Sequence, residues 1–244
     1  VNHVLGIKER SIPELGLTVA QRGTIYHQIL EMVYRNAPKN ADVNTLLALL
    51  EDYAASVYLT APQEQGFRES PLWEVEQAEM TGKLRDTITS FEEKRGDWYP
   101  VQLEAEFGKT QQFTIDIGTE GVLTRGTIDR VDRNSAGEVR VIDYKSGSGN
   151  LSKSDLISGR RLQITIYALA AQQALSFGNV VDGFYWVIGG KQNPFLQLSK
   201  VKHESLEGLD AAYEVLQAHL EQIVHGVRAG KFPPKPPKAG CPSY

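Results

Sequence analysis

Cysteine is nearly missing from this sequence, since Cys241 is the single one in 244 residues. One thiol cannot form an internal disulfide, so an intracellular setting is expected. The sequence also has no run of eighteen apolar residues, and no basic segment followed by an apolar one stands at its start. These absences predict neither a membrane span nor a signal peptide. We therefore expect a cytoplasmic protein without a membrane partner.

An excess of positive charge is also missing. The chain has 26 Lys and Arg residues against 30 Asp and Glu residues, which gives a net charge of −4. This balance argues against a free-standing protein that holds nucleic acid tightly by bulk electrostatics. It does not argue against a module to which an attached motor delivers DNA. The chain begins at Val1 rather than methionine, and we expect it to be a segment of a longer protein.

The stretch 127–145 carries the clearest pattern. Two runs of alternating β-branched residues flank an Asn-Ser-Ala-Gly segment, which is typical of a β-hairpin. A three-residue loop at 135–137 places Asp129 directly opposite Asp143. Because side chains alternate along a strand, both carboxylates share one face of the hairpin with Lys145.

Two carboxylates in this arrangement, with Cβ atoms about 4.5–5.5 Å apart, repel one another unless a positive charge lies between them. Carboxylate, water and phosphate oxygens are the ligands that Mg²⁺ or Mn²⁺ prefers, and such an ion activates a bound water. The alternative is a surface hairpin whose Asp and Lys side chains form a cross-strand ion pair. The hairpin by itself leaves both interpretations open.

The longer motif around the hairpin resembles the PD-(D/E)xK nuclease signature in its RecB/AddB-like form. It reads GTIDRVD at 126–132 and VIDYKSG at 141–147. This resemblance favours the metal site. It implies that Lys145 positions the attacking water and that Mg²⁺ or Mn²⁺ is held by Asp129, Asp143 and the main-chain carbonyl of Tyr144.

A helix predicted at 21–35 carries the next part of the resemblance, with Gly23 and His27 on one face. A lone histidine on a helix more often makes an ordinary hydrogen bond than binds a metal. The run GTIYHQILE at 23–31, however, resembles the GxxxHxxLE helix of RecB-like nucleases, which implies that His27 is a metal ligand. A helical insertion at 42–96 follows, to which we assign packing alone.

The residues 101–108 predict a strand. Alternation places Glu104 on one face and Leu103, Ala105 and Phe107 on the other. The resemblance implies a catalytic role for Glu104, since family members usually carry a glutamate three residues before a phenylalanine here. An exposed acid on a strand is the alternative.

A helix predicted at 160–175 places Gln163 and Tyr167 one turn apart. The pair resembles the QxxxY element of RecB-like nucleases, which contacts DNA or the metal-bound water, and this implies catalytic and DNA-binding roles for both. Without the resemblance they would be a neutral helix residue and a core aromatic. Arg160 is predicted to bind a DNA phosphate, and the solvated start of a helix is the alternative.

Two further features of the sequence predict no chemistry. The run 147–154 has Ser152 where a phosphate-binding P-loop needs its second glycine, so no nucleotide site is predicted. Asp132 falls on the strand face opposite to Asp129, where a salt bridge or a turn cap is expected. Beyond these, 180–188 and 195–201 predict two strands.

The proline-rich tail at 230–244 cannot be helical. It resembles the run into the cysteine-rich end of those RecB-like nucleases that carry an iron–sulfur cluster. Such a cluster takes four thiolates, and Cys241 supplies one. We predict no intact iron–sulfur cluster in this chain, with Cys241 a ligand only if its partners lie outside it.

Together these patterns predict one domain over 1–244, with a restriction-endonuclease-like α/β core at 98–229. Its mixed central sheet is flanked by helices, and the helical insertion precedes the core strands. The resemblance implies a metal-dependent DNA exonuclease of repair or recombination in a bacterial-type cell. Its partners would be a single strand or an end of DNA and a helicase domain or subunit. The alternatives are a non-catalytic DNA-binding or scaffold module with this fold, and a stand-alone endonuclease.

Overall fold

The structure is a computed structural model and describes residues 15–118, 120–147, 149 and 151–231. Three helices come first, followed by strands that alternate with three further helices. The longer elements are α1 (Val19–Asn36), α2 (Val43–Gln65), α3 (Trp73–Glu93), β1 (Tyr99–Phe107), β2 (Phe113–Ile117), β3 (Glu120–Thr124), β4 (Gly126–Arg133), β5 (Val139–Lys145), α4 (Lys153–Ile157), α5 (Gln163–Gln173), β6 (Val180–Val187) and α6 (Gly208–Arg228). Two short strands, Lys202–His203 and Leu206–Glu207, precede α6.

A four-stranded sheet with the order β1-β4-β5-β6 forms the centre of the fold. β4 is antiparallel to both of its neighbours, and β6 is parallel to β5. Since parallel neighbours need a crossover connection, the chain passes through α4 and α5 between β5 and β6. This mixed sheet with helices on its faces confirms the predicted α/β class.

Each face of the sheet is covered by its own helices, as in a three-layer architecture. The helices α1, α2 and α3 pack on one face, where the sheet contributes Leu103, Ile142, Tyr144, Phe184 and Trp186. The helices α5 and α6 pack on the other face, where it contributes Val131, Val141, Tyr185 and Val187. The segment 42–96, predicted to be a helical insertion, therefore contributes α2 and α3 to one of the two outer layers.

The β4–β5 hairpin has the predicted register. Arg130 pairs with Ile142, and at the turn the amide of Asn134 donates to the carbonyl of Glu138. Continued by one residue beyond the ladder, this register sets Asp129 opposite Asp143.

Asp132 lies on the other face of β4 and is fully buried. It accepts hydrogen bonds from Arg130 Nε at 2.5 Å and from Arg140 Nη2 at 2.8 Å. The Arg130 guanidinium in turn lies over the rings of Tyr34 and Phe91, at 4.1 and 4.2 Å from their centroids. The predicted salt bridge is confirmed, and it joins the sheet to the α1–α3 layer.

The edge strand β1 departs from simple alternation. Leu103 packs with the α1–α3 layer, whereas Ala105 and Phe107 pack with the α5–α6 layer. The prediction that these three residues share one face is therefore wrong. The cause lies at Glu104, whose φ of +47° falls in the left-handed region that few non-glycine residues adopt.

Two other sequence predictions need correction. The segment 195–201 is not a strand, because Phe195 makes one isolated bridge with Tyr185 and Leu198–Lys200 forms a 3-10 turn. Leu196, with a φ of +41°, interrupts the extended conformation between them. The helix predicted from Arg160 begins only at Gln163.

None of the helices in the described part of the chain has the length and apolar character that crossing a lipid bilayer requires. The tail from residue 232 onward, including Cys241, lies outside the described residues. The iron–sulfur prediction therefore stays a prediction.

Candidate metal and DNA site

His27 reaches the sheet from the middle of α1. The helix begins at Val19 with a capping box, in which Thr18 and Gln21 satisfy each other's backbone amides. Two turns later the imidazole lies against the hairpin, with Nδ1 3.4 Å from Asp129 Oδ1 and Nε2 3.1 Å from the carbonyl oxygen of Tyr144. Both ring nitrogens thus point at atoms that the sequence predicted to be metal ligands.

Glu104 joins this group from the edge strand. The β1–β4 register pairs Leu103 with Arg130 and Ala105 with Ile128, so Glu104 lies opposite Asp129. One ligand atom from each of His27, Glu104 and Asp129 lies within 4.8 Å of the others. The structure therefore places Glu104 among the potential metal ligands.

The strand β5 supplies the remaining carboxylate and fixes the orientation of Asp129. The amide of Tyr144 donates to Asp129 Oδ2 at 2.7 Å, which leaves Oδ1 facing His27. Asp143 is 1% exposed, and its Oδ2 lies 2.6 Å from Lys145 Nζ. Asp143 therefore contacts the lysine, while the three other ligand-bearing side chains face one another.

Lys145 begins a chain of hydrogen bonds that leads to α5. Its ammonium donates to Gln163 Oε1 at 2.8 Å, and Gln163 Nε2 donates to the Tyr167 hydroxyl at 2.8 Å. The Tyr167 ring packs edge-on against Phe107, with centroids 5.9 Å apart. The spacing of Gln163 and Tyr167 on one helix face thus serves to hold the lysine beside Asp143.

Gly126, the first residue of the GTIDRVD motif, makes this packing possible. A Cβ at this position would lie 2.9 Å from Phe107 Cζ and 3.4 Å from Tyr167 Cε1. The glycine therefore lets the Phe107 ring pass close to the backbone of β4.

The site concentrates negative charge in a partly buried setting. Burial and the neighbouring Asp129 carboxylate raise the pKa of Glu104 to about 7. Burial and the same neighbour raise the pKa of Asp143, although Lys145 opposes the shift. Burial by itself would lower the pKa of His27, but the hydrogen bond and charge of Asp129, with the charges of Asp143 and Glu104, raise it to about 8.

The neighbouring carboxylates act on all three pKa values in the same direction. The carboxylates stabilise a proton on one another and on His27 because they lie close together away from bulk water. A divalent cation compensates the same charges without protons. Carboxylate and carbonyl oxygens with one imidazole suit Mg²⁺ or Mn²⁺, so the donor set fits such an ion.

Arg160 forms an ion pair with a residue outside this cluster. Its Nε is 3.3 Å from Asp155 Oδ1 on α4, and Asp155 also accepts from the Ser152 amide at the start of that helix. The predicted contact of Arg160 with a DNA phosphate stays a prediction.

Sequence patterns predicted most of these residues. They gave Glu104 a catalytic role but did not predict it to be a metal ligand. The signal that could have placed it is the strand register, because a β1–β4 pairing with Glu104 opposite Asp129 brings a third acid to the hairpin. The left-handed conformation of Glu104 left no signature in the sequence.

The fold and the site define a class of nuclease. The family model described as "PD-(D/E)XK nuclease superfamily" matches residues 1–243, and the chain belongs to this superfamily.

Among curated proteins, the chain is similar to subunits of helicase-nucleases. It is 30% identical over 188 residues to a subunit of the "ATP-dependent helicase/deoxyribonuclease" of Thermoanaerobacter sp. (strain X514), which covers 68% of this chain and 16% of that protein. It is 40% identical over 125 residues to the subunit of the same name from Symbiobacterium thermophilum, covering 48% of this chain and 10% of that protein. The "Exonuclease/helicase subunit RexB" of Lactococcus lactis subsp. cremoris (strain MG1363) is 26% identical over 210 residues, which cover 82% of this chain and 18% of that protein. The chain therefore spans less than a fifth of these relatives.

Proposed function

We propose that this chain is a metal-dependent deoxyribonuclease, an exonuclease that hydrolyses the phosphodiester bonds of DNA during repair or recombination. We infer further that it acts as the nuclease module of a helicase-nuclease, with a helicase domain or subunit as its partner. One observation carries the proposal: potential ligand atoms of His27, Glu104 and Asp129 lie within 4.8 Å of one another. Asp143 and Lys145 lie beside them.

The ligand-bearing residues divide into two groups. His27, Glu104 and Asp129 would hold Mg²⁺ or Mn²⁺, with Asp143 and the Tyr144 carbonyl completing the protein ligands. When bound, such an ion polarises a phosphoryl oxygen and lowers the pKa of a water. The main-chain bond from Tyr144 to Asp129 keeps one carboxylate oxygen directed into the site.

Lys145 positions the attacking water. Asp143 and Gln163 hold its ammonium from two sides, at 2.6 and 2.8 Å. An ammonium has three donors, so the third is available for a water or a phosphate oxygen. Held in this way, it also stabilises negative charge that develops on the phosphate in the transition state.

The test is hydrolysis of linear, end-labelled DNA by the Asp143→Ala and Lys145→Ala variants in Mg²⁺. Each variant should lose at least about 100-fold in rate, the scale of losing a charge-stabilising or proton-handling group. Asp116→Ala and Lys202→Ala change exposed residues of other elements and serve as matched controls, with wild-type rates expected.

Wild-type rates in either site variant would contradict the mechanism. Binding of DNA by the unmodified chain without metal-dependent hydrolysis would instead favour the non-catalytic module. A covalently closed circle should resist an exonuclease, and cleavage of such a circle would assign the chain to the endonucleases.

A further inference from the structure

A groove lies between the C-terminal half of α1 and the edge strand β1, and we call it the α1–β1 groove. It has a volume of about 390 Å³, and its lining includes Tyr34, Arg35, Lys39, Arg95, Tyr99 and Leu103. Because β1 is the outer strand of the sheet, the groove is open along one side.

The lining of the groove is cationic in a chain whose net charge is −4. Arg35, Lys39 and Arg95 line it, and no carboxylate is among the described residues that do so. Arg35 and Arg95 each pair with a glutamate outside the lining, Glu31 at 2.6 Å and Glu92 at 3.0 Å. Lys39 lines the groove as well, and Asp97 lines the adjoining cleft together with Lys39 and Arg95.

The groove and the cleft of the candidate site are neighbours along α1 and β1. The cleft around His27 is lined by Glu31 and Glu104, and the next residues along the same elements, Arg35 on α1 and Leu103 on β1, line the groove. Arg35 Nη2 also lies 3.5 Å from the Leu103 carbonyl oxygen, at the junction of the two. From His27 to Arg35 the helix advances about 12 Å, which is more than the ~3.4 Å rise of one stacked nucleotide.

We propose that the α1–β1 groove binds the substrate as a single strand of DNA, with backbone phosphates at Lys39 and Arg95 several nucleotides from the bond that is cut. This inference rests on the proposed function, since it names the form of the DNA and its path to the site. Cations matched to a phosphate backbone provide affinity without sequence preference. Tyr99 lines both this groove and the cleft that continues from it toward Trp98, and it offers a ring on which an unpaired base can stack.

The test compares Lys39→Gln/Arg95→Gln with Lys200→Gln/Lys202→Gln, a matched double variant that removes two exposed lysines near the start of α6. Thermal unfolding first establishes that both remain folded. Fluorescence anisotropy then measures binding of a labelled strand of about 20 nucleotides, longer than the ~4–16 nucleotides that a single-strand site covers. Chelator is present, so that no turnover occurs and binding is measured whether or not the chain proves to be a nuclease.

For the groove variant we expect the Kd to rise about tenfold. The slope of log K against log salt should become shallower by about 1.4, because two phosphate contacts are lost and each contributes ~0.7. The control variant should bind as the unmodified chain does. In Mg²⁺, cleavage of the long strand should show a raised KM with little change in kcat, whereas a dinucleotide should be cleaved at an unchanged rate because it is too short to reach Lys39.

Equal Kd and equal salt slope in the groove and control variants would overturn the inference. An equal loss of cleavage for the long strand and the dinucleotide would also overturn it, because the effect would then lie at the site itself. Failure of the proposed function is recognised separately, as DNA binding without hydrolysis by the unmodified chain.

Discussion

Glu104 shows how one residue can be unfavourable for the fold and useful in the site. Its backbone is in the left-handed region, with a φ of +47°, and its carboxylate lies beside that of Asp129. Both features oppose folding when no cation is bound. Strain of this kind persists where the surroundings impose it, and such positions cluster at functional sites.

Glu104→Asn should therefore stabilise the metal-free protein while weakening its metal binding. Asparagine tolerates the left-handed conformation better, and relief of that strain is worth about 1 kcal/mol. Denaturant unfolding in chelator measures the gain, and a Mg²⁺ titration followed by the thermal midpoint measures the loss of binding.

Glu104→Gln is the control, because it removes the charge but keeps a side chain that disfavours this backbone. The asparagine variant should be the more stable of the two. Equal stabilities would mean that the backbone at this position carries no strain.

The packing between β1, β4 and α5 holds Lys145, the proposed catalytic lysine, through side chains that never touch it. Gly126 on β4 allows the Phe107 ring to lie against Tyr167, and Tyr167 ends the hydrogen-bond chain from Lys145. The position of the lysine thus depends on the fit of three elements.

Gly126→Ala should destabilise the protein by about 1–3 kcal/mol, the usual cost of adding an atom to a filled core. The new Cβ would lie 2.9 Å from a ring carbon of Phe107. Gly82→Ala is the matched control, since Gly82 lies inside α3 with nothing within 4 Å of an added Cβ. It should stabilise by about 0.5–1 kcal/mol. Denaturant unfolding measures both, and changes of the same sign would contradict this account of the packing.

At the scale of the whole molecule, the candidate site should link stability to pH and, if it binds the proposed ion, to metal. The pKa of Glu104 rises from 4.5 to about 7 and that of His27 from 6.5 to about 8 in the folded protein, and the pKa of Asp143 is raised as well. A raised folded pKa means that the group contributes stability below its unfolded pKa and loses that contribution as the pH rises through the folded value.

The metal-free protein should therefore become less stable between about pH 4.5 and about pH 8, the span between the unfolded pKa of Glu104 and the folded pKa of His27. Mg²⁺ should restore more stability at the upper end, because there it no longer competes with protons. At about 100 times its Kd it adds about 2.7 kcal/mol, or roughly 5–10 °C in Tm for a chain of this size. Calorimetry with chelator and with Mg²⁺ measures both effects. A Mg²⁺-induced shift that is larger at pH ~6 than at pH ~9 would contradict this linkage.

The amino-acid sequence determined the hairpin and its register, because turn chemistry and the alternation of side chains act over a few residues. The same local rules paired Gln163 with Tyr167 and separated Asp132 from Asp129. They failed where conformation depended on neighbours: at Glu104, whose backbone breaks the alternation, and at 195–201, where Phe195 forms one bridge and no strand follows.

Only the tertiary structure decided how distant residues meet. His27 and Tyr144 are 117 residues apart in the chain, yet they lie within 3.1 Å because α1 packs on the sheet through its own apolar face. Glu104 reaches Asp129 through the pairing of β1 with β4. Arg95 shares a groove with Arg35 and Lys39 although it lies far from both in the chain. Such long-range contacts depend on packing and strand pairing, which the local periodicity of a sequence does not encode.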